Sequence, residues 1–143
     1  MAYYVDSCIY LNLWRREESS IQKFWVITSD FFEAVDRQNE VIYVSGFIQK
    51  ELKWLLTAEE FSKRTELFEG VSRFRKIHAH DEAYRLGREL ERETCGKISF
   101  FDCMRITLSK RLGAVLITRD RMLIETAPQN GCPAYRPEEI KMN

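Results

Sequence analysis

Three short apolar runs decide what this chain can fold into: residues 3–5 (YYV), 41–44 (VIYV) and 114–118 (AVLIT). Runs this short, rich in β-branched and aromatic residues, suit strands. Between them lie stretches with helical spacing. Ile21, Phe24, Trp25, Phe31, Phe32 and Val35 recur at intervals of three and four, and Asn39 ends that helix. A second helix is expected to open at Ser45, run through Leu56 and continue past Phe68. Residues 81–93 read as helix with Ala83, Leu86 and Leu90 inward, and residues 99–112 as another closed by Gly113. FRKIH at 74–78 is a further strand candidate, Asn130-Gly131 a turn, and residues 133–135 a last short strand. Strands alternating with helices need crossover connections. The expected fold class is therefore α/β, a central parallel sheet with helices on both faces. No linker, repeat or low-complexity tract interrupts it, so one domain over 1–143 is expected.

Residues 3–13, YYVDSCIYLNL, pose the first functional question: a run suited to a buried strand is broken once by Asp6 and then resumes. In a parallel sheet the ligand site lies beyond the carboxyl ends of the strands. Asp6 ends the first strand there, and Asp120 in ITRD ends the AVLIT strand, two residues after Thr118. A crossover helix begins at that same edge, so the first turns of the helices from Ser45 and Ser99 belong to it. Glu51 sits about 9 Å into the first of these at 1.5 Å per residue. Its helical neighbours Phe47, Ile48, Leu52 and Leu55 are apolar, so it is expected to project from the buried face. A buried carboxylate is tolerated when it is paired, hydrogen-bonded or metal-bound. Asp102 lies three residues after Ser99 and reads equally well as part of a capping box. Taken singly, Asp6 is a helix cap and Asp120 a turn acid; only Glu51 is anomalous. Together, four carboxylates on one edge repel one another, and a divalent cation relieves that repulsion. Oxygen-only ligation suits Mg²⁺ or Mn²⁺ rather than zinc. Such a site binds substrate phosphate and activates water for in-line attack.

The bulk composition narrows the classes. Lys+Arg and Asp+Glu are both 22, so the net charge is zero and the chain is no general polyanion binder. The four cysteines, Cys8, Cys95, Cys103 and Cys132, form no C-x-x-C pair and no zinc spacing. A reducing cytoplasm is expected for such scattered thiols. Asp6 falls where the apolar core of an export leader would be, and no stretch of about 18 apolar residues exists to span a membrane.

The motifs YYVDSC, VSGFIQKEL, SFFDCMRITLSKRLGA and VLITRD, in that order from Tyr3 to Asp120, resemble the successive motifs of PIN-domain ribonucleases. The terminal YRPEEI is similar to the Pro-containing segment that often closes these domains. The resemblance implies a Mg²⁺- or Mn²⁺-dependent endoribonuclease hydrolysing RNA. It places the metal-binding and catalytic acids at Asp6, Glu51, Asp102 and Asp120, with the Thr118 hydroxyl supporting them. Small members of this size are most often VapC-type toxins, neutralised by a cognate antitoxin and commonly paired as homodimers. Two departures stand out. Members often carry Asn two residues after the first Asp, where this chain has Cys8, a weaker hydrogen bonder. Many carry a further acid and a Phe after the last Asp, where this chain has Met122 and Leu123.

Other features weigh less. His78 and His80 lack a third ligand at usable spacing. Arg15-Arg16 followed by Glu17-Glu18 reads as a solvated charge set. Arg119 and Arg121 flank Asp120 and are candidates for RNA phosphate contacts, with surface ion pairs as the competing use. Trp14 and Trp54 suit base stacking or, better, packing in the core or a dimer. A response-regulator receiver needs a phosphoacceptor Asp after its middle strand, where Ser45 follows VIYV, and a Lys where ITRD supplies an acid. A Rossmann binder lacks its G-x-G-x-x-G. The competing class is a PIN-like RNA- or protein-binding module with little or no catalysis.

Overall fold

The computed structural model describes residues 1–141. Among them, strands β1 (Ala2–Val5), β2 (Val41–Ser45), β3 (Phe74–Ile77), β4 (Val115–Ile117) and β5 (Ala134–Tyr135) form one sheet. Every pairing is parallel, in the order β3-β2-β1-β4-β5. The helices are α1 (Ser7–Trp14), α2 (Phe24–Arg37), α3 (Gly46–Leu55), α4 (Ala58–Gly70), α5 (Asp81–Glu93), α6 (Phe100–Leu112) and α7 (Arg121–Gln129), with a 3-10 turn at Pro137–Glu139. The expected α/β class is what the chain adopts.

The central strands carry the core. Tyr4, Val5, Ile42, Val44, Leu116 and Ile117 are fully buried on a sheet covered on both faces, which is why their runs are apolar throughout rather than alternating. The chain leaves β1 toward β2 and β3, then returns past β1 to β4. Right-handed crossovers in opposite directions put helices on opposite faces and leave a switch point between β1 and β4.

Three boundaries differ from the sequence reading. The run after Asp6 is a helix rather than resumed strand. In α1, Ser7, Ile9, Tyr10, Leu11 and Asn12 are all buried, so burial on several sides hides the helical period. The helix expected from Ile21 starts at Phe24, and Ile21 itself is 91% exposed. The long helix from Ser45 is two helices, because Thr57 caps α4 in a reciprocal box with Glu60. Ser45 does cap α3, accepting from Ile48 N at 3.3 Å, and Gly113 ends α6 at φ 64°. Trp14 is half-buried and packs on Tyr10 and Phe68, a core role.

Candidate active site

Asp6, Ser7, Cys8, Glu51, Ser99, Asp102, Arg105, Arg119 and Asp120 line one cleft of about 510 Å³. It opens at the strand ends where β1 and β4 adjoin. All four predicted acids are therefore on it. Arg119 is too, whereas Arg121 pairs with Glu125 with its side chain 86% exposed and takes no part in the lining.

Asp6 is the most constrained of them. Its backbone N–H donates to Ile117 O at 2.9 Å, extending the β1–β4 pairing by one residue. Its Oδ1 accepts from Ser7 N at 2.8 Å, capping α1, and its Oδ2 accepts from Thr118 Oγ1 at 2.7 Å. Cap and site residue are thus one carboxylate. Thr118 Oγ1 also accepts from Asp120 N at 3.0 Å, so a single hydroxyl ties the ends of β1 and β4 together. Cys8 Sγ reaches Asp6 Oδ2 at 3.7 Å, a weak contact. Burial, and then the Asp6 charge, push that thiol up to about 12, so it stays neutral.

Asp120 caps α7, its Oδ1 accepting from Met122 N at 2.9 Å and Leu123 N at 3.4 Å. Ser99 Oγ accepts from Asp102 N at 3.1 Å, but the Asp102 carboxylate does not return to complete a capping box. It turns instead into the cleft. Burial pushes its pKa up; Arg105 pulls the other way, and the nearby charges of Asp120 and Asp6 add to the rise. Glu51 stands on the cleft wall, its side chain 24% exposed, and not on the fully buried face expected for it. It accepts from the Ser7 hydroxyl and from Arg105.

Arg105 is the residue that sequence reasoning passed over. Its side chain is 3% exposed, and its three nitrogens go to three carboxylates. Nη1 donates to Asp102 Oδ1 at 2.7 Å, Nη2 donates to Glu51, and Nε lies 2.7 Å from Asp6 Oδ1 as an ion pair without hydrogen-bond alignment. Burial works against its charge, but Asp6, Glu51 and Asp102 outweigh that and hold it firmly protonated. A signal was available: Arg105 lies in a helical stretch whose neighbours are mostly apolar, the same anomaly that marks Glu51.

Arg119 is a second anchored cation. Its Nε donates to Asn12 Oδ1 at 2.8 Å, its Nη1 pairs with Glu138 at 3.0 Å, and its guanidinium lies 4.3 Å over the Phe24 ring.

The donors here are carboxylate oxygens, which suit a hard divalent cation, and the repulsion from Asp120 and Asp6 that adds to the burial-driven rise of Asp102 is what such a cation would relieve. As the side chains stand, no three His, Cys, Asp or Glu among the described residues are grouped around a metal position. Arg105 takes up oxygens of three of the four acids. The chemistry of the set fits a metal, and its open side is that of Asp102 and Asp120.

Comparison with known proteins identifies the family and the fold. A PIN domain family model matches residues 3–128. No curated protein matches the sequence. Among solved structures, VapBC2 from Rickettsia felis, bound to a DNA fragment from its promoter, is similar at TM-score 0.70 and 15% identity, covering 95% of this chain and 98% of that one. VapBC-1 from nontypeable Haemophilus influenzae is similar at 0.67 and 18%, covering 96% and 99%. FitAcB from Neisseria gonorrhoeae gives 0.64 and 14%, covering 98% and 100%. With the family matched over most of its length, and with the fold seen in these VapBC and FitAB complexes, this chain belongs to the PIN domain family.

Proposed function

We infer that this protein is a divalent-metal-dependent endoribonuclease and the toxin member of a toxin–antitoxin pair. The observation that carries the reading is the meeting of Asp6, Glu51, Asp102 and Asp120, from four separate segments, in one cleft at the sheet's switch point. Those four acids are the residues that would hold Mg²⁺ or Mn²⁺. Such an ion, when bound, polarises a phosphodiester and acidifies water for attack on phosphorus.

The chain's own groups supply orientation. Ser7 N and Thr118 Oγ1 fix the two oxygens of Asp6, so its carboxylate presents one direction to the cleft. Arg119, held by Asn12, Glu138 and Phe24, offers a positioned positive charge on the rim for a backbone phosphate. Arg121, paired with Glu125 in solvent, is the less firmly positioned of the two for such a contact. Trp54, 64% exposed and stacked on Phe101 beside Asp102, favours the substrate-facing use over core packing.

The antitoxin partner is inferred from neighbours that were solved as VapBC and FitAB complexes. A homodimer follows the habit of the small members. All four cysteines are unpaired, which suits a reducing cytoplasm, and no helix among the described residues is long and apolar enough to cross a membrane.

Expressing the chain alone in a bacterial host tests the reading. Growth arrest with loss of a defined RNA is expected, and both effects vanish for Asp6→Asn and Asp102→Asn. If folded wild-type protein neither slows growth nor changes any RNA, the toxin reading is wrong.

A further inference from the structure

Arg105 lies in the middle of the acid edge, and nothing in the proposed chemistry requires it. A guanidinium this deeply buried is costly unless its charge is answered. Arginine–carboxylate pairs are frequently bidentate, two parallel hydrogen bonds to one partner. Arg105 instead gives one nitrogen to each of three carboxylates, on the end of β1, on α3 and on α6 itself. Bridging carboxylates from separate elements and cancelling their repulsion is the work of a cation at the heart of such a site. Both oxygens of Asp6 are already engaged, Oδ1 by Ser7 N and the Arg105 charge and Oδ2 by Thr118 Oγ1, which leaves Oδ2 the freer of the two. By contrast, no protein hydrogen bond among the described residues goes to Oδ2 of Asp102 or of Asp120.

We propose that Arg105 is a built-in cation of the site: at Asp6, Glu51 and Asp102 it takes the place one of two divalent ions would take. The chain then binds a single divalent ion, on the Asp102–Asp120 side. The inference rests on the metal-dependent reading above. It makes Arg105 a positioning residue that sets the metal stoichiometry, and it lets the acids stay gathered with no metal bound.

Counting Mn²⁺ on the full chain, by calorimetric titration and by electron paramagnetic resonance of the free ion, tests this. Wild type is expected to bind one ion per chain, weakened about tenfold or more in Asp120→Asn. Arg105→Met, which keeps the length and removes the charge, is expected to bind two, and Arg105→Lys one. Two ions or none on wild type overturns the inference, as does one ion on folded Arg105→Met. If Arg105→Met folds only with Mn²⁺, it is purified and counted in that form; if it does not fold at all, the wild-type count decides. The two readings separate cleanly. Wild type that cuts RNA with two ions sinks the Arg105 role alone. Wild type with one ion, two in Arg105→Met, and no cleavage sinks the nuclease reading alone.

Discussion

Thr118 shows how little chemistry is needed to hold this site in register. One fully buried hydroxyl donates to Asp6 and accepts from the backbone of Asp120, joining two acids that lie more than a hundred residues apart. Thr118→Val keeps the shape and removes both bonds. The expected cost is about 1–3 kcal/mol of stability, from a buried N–H and carboxylate oxygen left short of a partner. Cleavage is expected to fall about 10–100-fold, the usual penalty for losing a group that orients a metal ligand. Thermal melts and cleavage rates on the same preparation check this, and unchanged cleavage with lowered stability would reduce Thr118 to a structural bond. At this scale Asp6, Asp102 and Asp120 were legible because each follows a recognisable strand or cap, and Glu51 because its helical neighbours are apolar. Arg105 carried the fainter signal, because its neighbours three and four residues away include Asp102 and Ser109 as well as Phe101 and Leu108, whereas those of Glu51 are all apolar.

Among the helices, α5 and α6 pack most extensively against each other. A Cβ at Gly87 would collide with Met104 Sδ and stand 3.4 Å from Phe100 Cε1, and Met104 is itself fully buried, so its side chain must shift within the core. Alanine gains about 1 kcal/mol of helix propensity at such a site. Overpacking costs about 1–3 kcal/mol. Gly87→Ala is therefore expected to lower the denaturation midpoint, and a raised midpoint would show that α6 shifts freely. That result would matter for function, because α6 carries both Asp102 and Arg105. The elements most legible in the sequence were the compact apolar runs VIYV and AVLIT and the one-faced helix Asp81–Glu93, which stand where expected. Helix α1 was missed because burial on several sides erases its period. The break at Leu56 and Thr57 carried a readable signal, the T-x-x-E of Thr57 and Glu60, overridden by continuing hydrophobicity around it.

For the whole molecule, the core under the sheet is rich in phenols that resist ionisation. Burial, then the charge and hydrogen bond of Glu40, push Tyr3 from 10.0 up to about 12, and burial drives Tyr4 and Tyr10 well above their ordinary value. These groups hold their protons more tightly folded than unfolded. Their contribution to stability is thus complete below pH 10 and is lost as pH rises, through about 12 for Tyr3 and beyond that for Tyr4 and Tyr10. In an alkaline titration, phenolate absorbance from the buried three is expected to appear together with loss of circular dichroism. Ionisation of all six tyrosines near pH 10 with the dichroism intact would contradict it. The sheet order was beyond the sequence, since nothing local says that β4 returns to β1 and so makes the switch point. That return is what brings Asp6 and Asp120 into one cleft, and the account stands on the claim that this cleft cuts RNA with a divalent ion. The direct measurement is cleavage of structured RNA by the purified chain in Mn²⁺, in excess EDTA, and by Asp6→Asn and Asp102→Asn in Mn²⁺. The account predicts cleavage in the first condition and a loss of about 100-fold or more in the others, since removing a metal or its ligand forfeits several kcal/mol of charge stabilisation. Wild type and both variants folded, binding RNA and equally inert in Mn²⁺, would contradict it and leave a binding module in its place.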